Sequence, residues 1–124
     1  MEANIKWIDG VNFSALTESG NTILMDGPVE NGGNNNGSRP TELLISGMGG
    51  CTAFDIVCMA KTKKIKIKNF NLKINAQRTN SKPSLINKIH CTYIIDSDEK
   101  NKDDLEKIIQ SSLNKHCSCC IVLG

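Results

Sequence analysis

Six cysteines and two histidines are the side chains of this 124-residue sequence best suited to nucleophilic, redox or metal chemistry. Cys51 stands in "RPTELLISGMGGCTAFDIV", residues 39 to 57, with Cys58 seven positions on. His90 and Cys91 are adjacent, and His116, Cys117, Cys119 and Cys120 crowd into "NKHCSCC". A thiolate is a nucleophile and a metal ligand, whereas a neutral buried thiol is a small hydrophobe. Zinc needs four well-spaced ligands, and C-x-C-C lacks the C-x-x-C pair of a tetrahedral knuckle, so neither a metal nor another cofactor is expected. Two readings of Cys51 stay open. It is a packed core residue, or it is a nucleophile whose partner thiol comes from the second cluster across the fold.

Those thiols must be positioned by regular elements. "ANIKWI" and "VNFSALT" alternate about Asp9-Gly10, and "NTILMDG" follows a turn at Ser19-Gly20, which reads as a β-meander over residues 1–26. The polar run "PVENGGNNNGSR" has no periodicity and reads as a mobile loop, 27–39. Pro40 suits a first helical turn. The segment 40–64 is then a long central helix, apolar around most of its girth, with lysines at its end. Residues 65–96 read as a β-hairpin with a break near Asn69. Asp103, Asp104 and Glu106 open a second helix, with Leu105, Ile108, Ile109, Ser112 and Leu113 on its apolar face, and 101–124 includes the cysteine-containing tail. The order β-β-β-α-β-β-α gives an α+β fold and one domain, 1–124.

On the central helix Leu44, Met48, Asp55 and Cys58 project near the Cys51 direction. Seven residues of helix rise roughly 10 Å, which excludes a Cys51–Cys58 disulfide. Gly47, Gly49 and Gly50 each cost about 1 kcal/mol relative to alanine, so backbone must come close there, for helix packing or for approach to Cys51. Asp55, one turn beyond Cys51, opposes thiolate formation if ionised and close.

Fifteen basic against 13 acidic residues give a net charge of +2, and the lysines form no stripe. With aromatics at 4%, no nucleic-acid partner is expected. The sequence shows no signal-like start and no apolar stretch read as spanning a bilayer, and its thiols suit a reducing compartment. Those observations lead to the expectation of a soluble, cytoplasmic protein without a membrane partner.

"PTELLISGMGGCTAFDIV" and "HCS" at 116–118 resemble the paired cysteine motifs of the OsmC/Ohr family of thiol-dependent peroxidases. "IKWIDG", "SGNTILMDG" and "GGCTAFDIV" look like its YhfA-like branch. The resemblance covers the whole chain. It implies an OsmC-like fold, antiparallel sheets packed on a long central helix, and an intertwined homodimer. It further implies reduction of organic hydroperoxides in oxidative-stress defence, with Cys51 as reactive and Cys117 as resolving thiol, restored by a dithiol or protein thiol. The family's activating glutamate and arginine have no direct match: Thr41 follows Pro40, and Glu42 and Arg39 are the candidates that remain. A non-catalytic dimeric domain that binds a small apolar molecule is the alternative. The chain ends at "CCIVLG", where relatives run on into another helical turn and a strand, so an unpaired sheet edge is expected.

Overall fold

The computed structural model describes residues 1–80 and 86–112. Its elements are strands β1 (Ala3–Asp9), β2 (Asn12–Thr17) and β3 (Thr22–Met25), helix α1 (Pro40–Thr62), strands β4 (Ile67–Arg78) and β5 (Ile86–Ser97), and helix α2 (Lys102–Ser111). Short 3₁₀ turns occupy Val29–Asn31 and Glu99–Asn101. The chain divides into two compact units, Met1–Leu44 and Ile45–Gly124.

In the first unit the strands form an antiparallel sheet in the order β1-β2-β3. Ile5 faces Ala15 and Trp7 faces Phe13 across the first ladder, while Ala15 faces Ile23 across the second. The meander expected from the alternation is therefore present. Its apolar side is not covered within the unit: Trp7 remains 63% exposed and Ile5 55%.

The connector after β3 differs from the mobile loop expected. Asp26 is buried, and its carboxylate accepts backbone N–H groups from Gly27 (2.7 Å), Asn34 (3.2 Å) and Asn36 (3.1 Å). The Asp26 N–H in turn donates to the Ser38 carbonyl at 3.1 Å. Gly33 is buried against this centre, where a Cβ would strike the Gly27 carbonyl and approach Asp26 Oδ1. A loop without hydrophobic periodicity is thus ordered by a single charged acceptor.

In the second unit α1 lies against the β4-β5 hairpin. The strands pair antiparallel, with Phe70 opposite Ile95, Leu72 opposite Tyr93 and Ile74 opposite Cys91. The register shifts between Ile67 and Asn69, the break expected near Asn69. Ile56 and Ala60 from α1, Ile65 from the connection, and Leu105 and Ile108 from α2 form the core, flanked by Phe70, Tyr93 and Ile95. Burying a side chain such as Ile108 contributes about 1.5–3 kcal/mol. The helix ends at Thr62, earlier than the residue 64 expected, because Lys64 turns to φ +58° and the Ile65 N–H returns to the Ala60 carbonyl.

One expectation is overturned. By length and composition α1 is long and apolar enough to cross a membrane, because its glycines and alanines dilute only three charges, Glu42, Asp55 and Lys61. Ile56 and Ala60 of this helix lie in the core of the second unit.

Burial would raise the Asp26 pKa, but the N–H groups of Asn36, Gly27 and Asn34 and the positive charge of Arg39 outweigh it, so the carboxyl titrates below its ordinary value. A depressed folded-state pKa contributes stability above the unfolded pKa that is lost as pH falls through the folded one. Asp26→Asn, which turns an amide NH₂ toward N–H donors, is expected to lower the melting temperature at neutral pH. The difference from wild type should shrink on acidification, as followed by thermal melts at neutral and acid pH.

Candidate functional site: the Cys51 face of the central helix

The glycines before Cys51 are not equivalent. A Cβ on Gly49 would stand 2.6 Å from Ile74 Cδ1 and 3.7 Å from Leu72 Cδ2, whereas Gly47 and Gly50 have nothing within 4 Å. Gly49 is therefore where α1 closes onto β4, the close-packing reading of the sequence. Gly47 and Gly50 lie open beside Cys51, as the approach reading requires.

This contact fixes which side of the helix is buried. Met48, Thr52 and Ile56 lie along the buried line. At about 100° per residue, Gly49 and Ala53 fall on the flank toward β4, and Cys51 and Asp55 on the other. Cys51 is half-buried, Asp55 is half-buried, and Cys58 one turn further is exposed. Asp55 Oδ2 is shielded from solvent with no hydrogen-bond partner. A cleft of about 400 Å³ opens on the β4 flank, lined by Ser46, Gly49, Gly50, Ala53, Leu72 and Ile74 among others. No cysteine lines it.

Cys91 pairs with Ile74 on the side of the hairpin that meets α1. Burial pushes its thiol pKa up, and a hydrogen bond from the Tyr93 hydroxyl only partly offsets this. Sequence reasoning placed Cys91 in a strand but missed its Tyr93 partner. The signal was present as two inward positions, i and i+2, of one strand.

The activation candidates, Arg39 and Glu42, are brought together in the first unit. Glu42 Oε1 accepts the Arg39 backbone N–H at 2.7 Å, the reciprocal arm of a capping box at the start of α1. The Arg39 side chain donates through Nη1 to the Gly37 carbonyl at 3.4 Å, and its charge stabilises the Asp26 carboxylate. Cys117, together with His116, Cys119, Cys120, Leu113 and the turn at 81–84, lies outside the described residues. Among the described residues no three His, Cys, Asp or Glu side chains are grouped so that they could hold a metal ion.

A thiol on the flank of a long helix that packs on an antiparallel hairpin places the second unit among α+β folds. The OsmC-like protein family model matches residues 32–124, and the chain belongs to that family. It is 28% identical to Protein YhfA of Escherichia coli (strain K12), over 99% of this chain and 89% of that one. Two solved structures share the fold. One is an OsmC-like protein of unknown function from Vibrio cholerae O1, with TM-score 0.76 and 10% identity over 98% of this chain and 91% of that one. The other is an organic hydroperoxide resistance protein OsmC from Legionella pneumophila, with TM-score 0.72 and 17% identity over 99% and 89%. The expected fold class and family resemblance are both borne out.

Differential alkylation checks this ordering of the described thiols. Cys58, exposed on α1, should react with iodoacetamide well before Cys91, whose raised pKa leaves little thiolate at neutral pH. Peptide mass spectrometry over a time course reads the order, and raising the pH should narrow the gap.

Proposed function

We propose that this protein is a thiol-dependent peroxidase that reduces organic hydroperoxides, with Cys51 as the attacking thiol. The observation that carries this reading is the position of Cys51: half-buried on the helix flank, next to the unobstructed backbone of Gly50 and within a chain of the OsmC-like family. The Legionella protein's description as an organic hydroperoxide resistance protein supports the choice of substrate class.

In this scheme the Cys51 thiolate attacks the distal peroxide oxygen, the O–O bond breaks, and the alkoxide leaves as alcohol after taking a proton. Cys51 becomes a sulfenic acid. Condensation with the Cys117 thiol then releases water and forms a disulfide, which a dithiol or protein thiol reduces. Arg39 and Glu42 support the reaction by shaping the start of the helix that carries Cys51. A cytoplasmic location, where thiols are kept reduced, suits this cycle.

The working unit is a homodimer. Phe54 is 69% exposed on α1, and Val57 is also exposed, an apolar surface that a second copy would cover. Phe54→Asp should shift the protein from dimer to monomer in light scattering. An unchanged dimer would place the interface elsewhere.

Stopped-flow consumption of cumene hydroperoxide with a dithiol reductant tests the activity. Wild type should turn over and Cys51→Ser should not, while Cys117→Ser should still reduce one equivalent and then stall. Equal rates in wild type and Cys51→Ser would leave the thiols structural and favour a domain that only binds small apolar molecules.

A further inference from the structure

The peroxidase cycle moves a proton twice, off the Cys51 thiol and onto the departing alkoxide, and the residues assigned so far provide no carrier for it. Asp55 supplies the missing chemistry. Its Oδ2 is shielded from solvent and accepts no hydrogen bond. A carboxylate oxygen left in that condition costs free energy and calls for an explanation.

Placement gives one. Residues four apart on a helix have Cβ atoms about 5–6 Å from each other, and helical side chains lean toward the N-terminus. Asp55 therefore leans back over the turn that carries Cys51. Among the described residues, the inner faces of the neighbouring elements offer it no cation: β4 presents Leu72 and Ile74, β5 presents Cys91 and Tyr93, and α2 contributes Leu105 and Ile108 to the core. Asp55 makes no direct hydrogen bond to the thiol, but a carboxyl group with an open oxygen, one turn away, is within reach of its proton through one water.

We propose that Asp55 is the proton shuttle of the Cys51 site. The inference rests on the peroxidase reading and assigns a residue to it. The Asp55 carboxylate accepts the thiol proton as Cys51 sulfur attacks the distal oxygen of the hydroperoxide. As the O–O bond breaks, the electron pair goes to the proximal oxygen, and the Asp55 carboxylic acid returns the proton there. The sum is Cys51–SH plus ROOH giving Cys51–SOH plus ROH, with the sulfur oxidised, the peroxide reduced and Asp55 unchanged. A negative charge close to a thiol disfavours the thiolate in general, so the role proposed for Asp55 is to transfer the proton and not to store the anion.

Those two effects have opposite signs, and Asp55→Asn separates them. Single-turnover reduction of cumene hydroperoxide and iodoacetamide alkylation of Cys51 are followed across the pH range in which a thiol titrates. Removal of the negative charge should move the alkylation curve to lower pH, while hydroperoxide reduction at neutral pH falls by about 10²-fold. A variant that alkylates more readily and also reduces peroxide as fast as wild type, or faster, would overturn the shuttle and leave Asp55 as an opposing charge. Should Asp55→Asn fail to fold, the wild-type protein decides. A normal solvent isotope effect on single-turnover reduction below the thiol's titration supports proton transfer in the rate-limiting step, and its absence overturns the proposal. Wild type that alkylates at Cys51 yet reduces no hydroperoxide would overturn the peroxidase reading itself, and the shuttle with it.

Discussion

The close approach of α1 to β4 at Gly49 is the constraint on which the second unit depends. A Cβ at that position would meet the tip of the Ile74 side chain, so with glycine the helix settles onto Leu72 and Ile74 without displacing that methyl group. Once the helix lies there, its azimuth is decided. Met48, Thr52 and Ile56 turn inward, and Cys51 and Asp55 are carried to the flank. A helix held further off the sheet would have room to roll, and a roll of one residue's angle would either bury Cys51 or expose Asp55 fully. The helical destabilisation from glycine, about 1 kcal/mol at such a site, is offset by the packing it permits.

Much of this was legible in the sequence because it obeys simple periods. Alternation about Asp9-Gly10 gave the β1-β2 ladder, and the broken alternation at Asn69 gave the register shift in β4. The inward set Leu105, Ile108 and Ser112 of α2 is buried as its helical spacing requires. Asp26 was not legible, since a loop organised by one carboxylate has no hydrophobic period to read. What the sequence did offer was an Asp-Gly step followed by a glycine- and asparagine-rich run, a composition that leaves many backbone N–H groups free to converge on an acceptor. The membrane-length character of α1 was missed for a different reason. Glu42, Asp55 and Lys61 interrupt the apolar run of its 23 residues, so no uncharged stretch within it reaches bilayer length.

The thiols show the same division between pattern and environment. Spacing alone ruled out a Cys51–Cys58 bridge and put both on one side of the helix, yet it could not rank their exposure. The structure grades them, with Cys58 open, Cys51 half-covered and Cys91 half-covered and hydrogen-bonded to Tyr93. Reactivity of a thiol follows its thiolate fraction and its access, so this grading carries more weight than the count of cysteines. Burial raises the pKa of Cys91, so this inward-facing thiol of the hairpin carries less thiolate than a solvent-exposed one would.

Arg39 and Glu42 illustrate how one short stretch can order a helix start and a loop together. The Glu42 carboxylate satisfies a backbone N–H at the helix start, and the Arg39 guanidinium completes the charge balance of the Asp26 loop. Both interactions lie within the first unit and fix the geometry of the segment that leads into α1. A cation already engaged by one carboxylate stabilises a second anion less than a free one would, because its field is partly neutralised. In the proposed cycle, proton removal at the moment of attack is the physical alternative to a standing thiolate, and it asks for a carboxylate near the thiol, the role proposed for Asp55 one turn along the helix.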